Sequence, residues 1–106
     1  MQIDRRNEAG LEILALSGRI TMLEGTEPLR ERFATSLAEG RRHFLFDLRE
    51  LQFLDSASIG DLIACLRQAS EQAGSVRLLV VPDGTVDRVL RLSAMDRLFE
   101  ILDEQP

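Results

Sequence analysis

The run His43-Phe44-Leu45-Phe46-Asp47-Leu48 constrains the fold more than any other stretch of this chain. Successive side chains of an extended segment point to opposite sides, so a nearly unbroken apolar run reads as a strand covered on both faces. It should lie centrally in a sheet. Residues 76–81 have the same character and predict a second covered strand.

Between these runs the apolar period lengthens to that of a helix. After Thr26, Leu29, Phe33 and Leu37 recur at helical spacing, with Pro28 in the first turn and Gly40 just beyond the end. From Ser56 onward, Ile59, Leu62, Ile63, Leu66 and Ala73 fall on one face and Gly74 supplies a stop, which predicts a helix over roughly 57–73. The turn Pro82-Asp83-Gly84 introduces a third helix carrying Val86, Val89, Leu90 and Ala94, and residues 98–102 read as a last strand. At the other end, residues 2–7 alternate weakly and residues 11–17 more clearly, with Glu8, Ala9 and Gly10 as a turn between them. That is an antiparallel hairpin at the edge of a sheet.

The order is strand, strand, helix, strand, helix, strand, helix, strand. Strands joined through helices imply parallel pairing with right-handed crossovers, so the expected fold class is α/β: a mixed β-sheet with an N-terminal hairpin and helices packed against the sheet. With 106 residues and no repeat or Pro/Ser-rich linker, residues 1–106 read as a single domain. The balance of 44% hydrophobic and 29% charged residues suits a packed globule that needs no metal or cofactor.

No apolar stretch approaches the ~20 residues of a membrane helix, and the first residues carry Asp4, Arg5, Arg6 and Glu8 where a signal peptide would be apolar. A lone cysteine, Cys65, fits a reducing compartment, so the expected location is the cytoplasm. The formal net charge is −5 and the 13 basic residues, all arginine, are scattered rather than gathered in a stripe. Nucleic-acid binding gains no electrostatic support from them.

His43 is the sole histidine, but it begins the central strand while Ser56 follows that strand's far end. Six residues at about 3.3 Å each separate the two by roughly 20 Å, against the ~3 Å that a serine hydrolase needs. One cysteine and one histidine far apart give no metal-ligand spacing. Cys65 falls inside a helix as a packing residue, and the isolated glycines make no phosphate loop. What remains is Phe53-Leu54-Asp55-Ser56-Ala57-Ser58-Ile59-Gly60-Asp61, joining the central strand to the second helix. Locally, Ser56 reads as an ordinary helix N-cap. It also lies beyond the carboxyl end of a parallel strand, where α/β sheets commonly place their sites.

Asp47-Leu48 followed by Phe53-Leu54-Asp55-Ser56-Ala57-Ser58-Ile59-Gly60 resembles the strand, Asp-Ser switch and helix start of the STAS domains, named for sulphate transporters and anti-sigma factor antagonists. Residues 89–99, Val-Leu-Arg-Leu-Ser-Ala-Met-Asp-Arg-Leu-Phe, are similar to the family's late helix and its turn into the last strand. The resemblance implies that Ser56 is the serine phosphorylated in bacterial antagonists. It further implies that the unphosphorylated domain binds an anti-sigma factor, often itself a serine kinase, and so regulates sigma-dependent transcription. Phosphorylation would end that binding and a phosphatase would restore it. The domain would then be a regulator and not an enzyme. The partner-binding face would surround the helix start, with Asp55, Ser56, Ser58 and Asp61 near its centre. Alternatives are a STAS subunit of a lipid-transport ATPase complex, which needs no phosphate switch, and a serine hydrolase. Two positions depart from the family pattern: Ser58 and Ala94 stand where glycine is usual. Ser58 puts a side chain beside the switch, where it would hinder a kinase or offer a second acceptor. Ala94 reads as a continuation of the helix that glycine would end.

Overall fold

The computed structural model describes residues 1–21 and 25–106. The chain begins with β1 (Gln2–Glu8) and β2 (Leu11–Ile20), paired antiparallel from Gln2 opposite Ser17 to Glu8 opposite Leu11. Ala9 and Gly10 both take positive φ, 51° and 83°. Two successive left-handed residues give a turn whose twist matches that of the strands it joins. The expected edge hairpin is therefore present.

Beyond it come α1 (Glu27–Ala38), β3 (His43–Leu54), a 3₁₀ turn at Ser56–Ser58, α2 (Ile59–Glu71), β4 (Ser75–Leu79), α3 (Thr85–Leu92), a second 3₁₀ turn at Met95–Arg97 and β5 (Ile101–Leu102). The strands lie in the order β1-β2-β3-β4-β5, and every pair after the first is parallel. This is the expected mixed sheet, with the apolar run from His43 at its centre. Each parallel crossover steps one strand in the same direction. Right-handed connections that all step one way must place all their helices on one face.

Packing follows that rule. Leu14 and Leu16 of β2, Phe44, Phe46 and Leu48 of β3, and Val76 and Leu78 of β4 form one cluster with Leu29 and Phe33 of α1, Leu62 and Cys65 of α2, and Leu90 of α3. Phe33 sits with its ring centroid 4.6 Å from Phe44 and 6.0 Å, edge-on, from Phe46. The alternate residues Ile13, Leu45 and Leu79 form a smaller cluster on the opposite face.

Several local expectations need correction. The helix after Ser56 buries Ile59, Leu62, Cys65 and Ala69, while Ile63 and Leu66 only flank the core. Ala73 lies outside α2 with φ 60°, so alanine rather than Gly74 takes the left-handed position. Gly74 is required for another reason: a Cβ there would stand 2.0 Å from the Arg42 carbonyl oxygen. Ala94 does not extend α3, which ends at Leu92; it too is left-handed, φ 60°. The last strand is confined to Ile101–Leu102, because residues 95–97 turn first.

Three buried carboxylates, Glu12, Asp47 and Asp87, are each paired with an arginine, Asp87 with Arg91 at 2.8 Å. Glu12, fully buried, lies within 3.0 Å of Arg5 Nε through both oxygens. Burial alone would push its carboxyl up, but the Ser36 hydroxyl and the Arg5 guanidinium beside it outweigh burial and hold it below its ordinary 4.5. Asp47 behaves likewise: burial raises it, and two side-chain bonds from Arg49, at 3.0 and 2.9 Å, bring it below its ordinary 3.8. A lowered folded-state value contributes stability that is present above the unfolded value and lost as pH falls through the folded one. Wild-type stability should therefore fall on acidification below about pH 4.5. Glu12→Gln should be less stable at pH 7 and show a shallower acid loss, as read by urea midpoints at both pH values. Leu62, 1% exposed, tests the packing of α2. Leu62→Asp should cost about 3 kcal/mol or more by burying an unpaired carboxylate, and an unchanged Tm would contradict this placement.

Candidate functional site

β3 runs to Leu54 and carries the chain past the end of the neighbouring strand β4, whose pairing with it stops at Asp47. Asp55 follows, tied to β2 by its backbone N–H, which donates to the Ile20 carbonyl at 3.2 Å. Its extended backbone, φ −88° and ψ 160°, points the carboxylate back over the next turn. Oδ1 of Asp55 accepts from the Ser58 N–H at 2.9 Å and from the Ser58 hydroxyl at 2.6 Å. The cap of this turn is thus Asp55 and not Ser56, which corrects the N-cap reading. Because the carboxylate does the capping, Ser56 is left exposed, and its side chain makes no hydrogen bond among the described residues.

Ser58 is not where the sequence placed it. It is 2% exposed, with its hydroxyl turned inward to Asp55. It therefore offers neither a surface contact nor a second accessible acceptor. Asp61 does reach the surface, but it is engaged: the Thr26 hydroxyl donates to its Oδ2, and Arg30 lies 4.0 Å from its Oδ1. Thr26 immediately precedes α1 and, rather than capping that helix, its side chain crosses to α2. The starts of the two helices are stapled together by this bond. Thr26 and Arg30 are site residues that the sequence did not single out, since a bond between positions 35 apart leaves no local signal.

The remaining candidates lie apart from Ser56. His43 bonds Ser75 at 2.9 Å, at the opposite end of a strand twice as long as the apolar run suggested. A cleft of about 290 Å³ between α1 and α2 is lined by residues such as Phe33, Ala34, Ala64 and Cys65, and neither Ser56 nor His43 borders it. Burial, with the nearby Asp61 charge, pushes the Cys65 thiol up to about 12, so it is no nucleophile at neutral pH. Among the described residues no group of three or more His, Cys, Asp or Glu is placed to hold a metal, and no helix is long and apolar enough to cross a membrane.

Three comparisons bear on this arrangement. The family model described as "Mlab, STAS domain" matches residues 3–103. A Thermotoga neapolitana protein, named as a TM1081 homolog of the anti-sigma factor antagonist kind, is 32% identical over 71 residues, 67% of this chain. The match spans 62% of that relative's own length. Among solved structures, an anti-sigma factor antagonist from Mycobacterium paratuberculosis superposes with a TM-score of 0.85 at 17% identity, over 97% of this chain and 86% of its own. SpoIIAA of Bacillus in its phosphorylated form gives 0.71 at 20% identity, over 97% and 93%. At these identities the structural likeness is one of fold.

The staple between helix starts is testable by a double-mutant cycle. Thr26→Val and Asp61→Ala should each lower the urea midpoint, and the double variant should lose less than the sum, with a coupling of about 0.5 kcal/mol or more. Strict additivity would show that the contact contributes nothing.

Proposed function

The chain belongs to the STAS domain family, and from that premise we propose that it is an anti-sigma factor antagonist whose binding is switched off by phosphorylation of Ser56. Its partner in this reading is an anti-sigma factor that is itself a serine kinase; a phosphatase resets the switch. The supporting observation is the division of labour at the end of β3. Asp55 satisfies the turn, so the adjacent hydroxyl of Ser56 has no structural duty and faces solvent.

The direction of the switch follows from charge. A phosphate adds about −1.5 to −2 units at neutral pH. In the free domain it stands in water at the N-terminal end of α2, where the helix dipole favours it by roughly 0.3–1 kcal/mol. The fold tolerates it. Inside an interface the same dianion would be desolvated next to the Asp55 carboxylate, and an uncompensated buried charge costs about 3–5 kcal/mol. Since ~1.4 kcal/mol is a factor of ten, binding should weaken by roughly 100-fold or more.

A second reading has one observation in its favour. The Ser58 hydroxyl bond to Asp55 adds a tie to the turn, and a domain acting as a permanent STAS subunit of a lipid-transport ATPase complex needs a rigid surface and no phosphate. Incubation with an anti-sigma serine kinase and ATP, followed by mass spectrometry, separates the two. The switch reading expects one phosphate, on Ser56, none on the Ser56→Ala protein, and loss of kinase binding by Ser56→Asp with an unchanged Tm. Absence of phosphate on the wild type, with binding indifferent to Ser56→Asp, would favour the subunit reading. Phosphate on Ser58 would contradict its buried position.

A further inference from the structure

With α1, α2 and α3 all on one side, no helix among the described residues lies over the other side of the sheet. Yet Ile13, Leu45 and Leu79 on that side are each 0% exposed. Leu11 and Leu102 pack against them. Leu102 stands opposite Leu79, one row above the line in which Arg6, Ile13 and Leu45 stand side by side. The buried residues therefore mark a diagonal, Leu79 to Leu45 to Ile13, running from β5 toward β1.

Residues 103–106 leave β5 at the head of that diagonal. At its foot, Arg6 Nη2 donates to Gln105 Oε1 at 2.6 Å, and Gln105 Nε2 donates to Glu8 Oε2 at 2.8 Å. Arg6 pairs with Ile13, and Glu8 lies two residues on, so both side chains rise from the helix-free face. Gln105 is half-buried between exposed Glu104 and Pro106, as expected of a side chain aimed at the sheet. The span is reachable. Four strand spacings are ~19 Å wide, of which the three residues after Leu102 cover about 10 Å, and the long Gln105 and Arg6 side chains close the rest.

We propose that residues 103–106 are a strap that closes the helix-free face, latched by Gln105 between Arg6 and Glu8, and that it keeps this face from pairing with a second copy of the chain. The covered strip, Leu11, Ile13, Leu45, Leu79 and Leu102, is apolar. Both signs of charge flank it on the same face: Asp4, Arg6 and Glu8 on β1, Asp47 and Arg49 on β3, Arg77 on β4. Two-fold pairing of such a surface sets apolar strip against apolar strip and lets unlike charges meet, as an isologous contact requires. At its base the strap is held by β5, a two-residue strand whose Leu102 carbonyl accepts from the Val80 N–H at 2.9 Å. Loss of the latch should loosen that bond first.

The test uses the full chain and its Gln105→Ala and Arg6→Ala variants, with hydrogen exchange and light scattering. The Val80 amide should exchange roughly tenfold faster in both variants, the effect of losing a hydrogen-bonded latch, while the Cys65 amide within α2 keeps its rate. The variants should also associate to dimers at concentrations where the wild type remains monomeric. Unchanged exchange at Val80 would overturn the latch, and faster exchange without dimers would overturn the masking role. An equal rise at Cys65 would show that Gln105 supports the whole fold rather than a strap.

Discussion

The direction of the crossovers governs the rest of the molecule. Each parallel connection moves one strand further from the hairpin, and because a right-twisted sheet accepts its helices with one hand, all three helices are forced onto one face. Phe44, Phe46, Leu14 and Leu78 are buried under them, and the alternate residues of the same strands are turned to the side that no helix covers. A fold of this kind has one thick hydrophobic layer and one thin one. Glu12 and Asp47 show how each face handles buried polar groups. Glu12 is held by Arg5 beneath α1, and Asp47 by Arg49 on the thin side.

The same geometry builds the site. β3 outruns β4, so its end, still paired with β2 up to Leu54, stands past β4, in the crevice where open α/β sheets commonly place their sites. The turn made there must end the strand, start a helix and satisfy the first amides of that helix. Asp55 meets these demands with one carboxylate oxygen. Thr26 and Asp61 then join this helix start to the start of α1. The exposed hydroxyl of Ser56 consequently sits on a braced platform rather than on a loose loop.

Much of this was legible from residue pattern. Element order, the central strand, the antiparallel hairpin and the mixed sheet all follow from period and punctuation, because apolar alternation responds directly to which face is buried. The errors have local causes. Ala73 and Ala94 adopt left-handed backbones normally given to glycine, so the helix ends they mark carry no glycine signal. At Gly74 the glycine was visible, but its purpose, room for the Arg42 carbonyl, depends on a strand distant in sequence. The site was legible as a segment and not as a geometry. Asp55 and Ser56 are equally good caps by type, and which one turns inward depends on the backbone at the end of β3.

Ser58 shows why that distinction matters for a switch. Where glycine could offer only its backbone N–H, serine at this position adds a charge-assisted bond of 2.6 Å from its hydroxyl to the same Asp55 oxygen. Bonds of that type contribute about 1.5–3 kcal/mol, so the turn gains stiffness next to the Ser56 hydroxyl. In the proposed switch, a stiff turn would resist change of shape were Ser56 to gain a phosphate. What such a phosphate would change readily is the field above the turn, where its charge would add to that of the Asp55 carboxylate. The physical basis of the proposed switch would therefore be electrostatic: a partner would meet an unaltered backbone carrying a different charge.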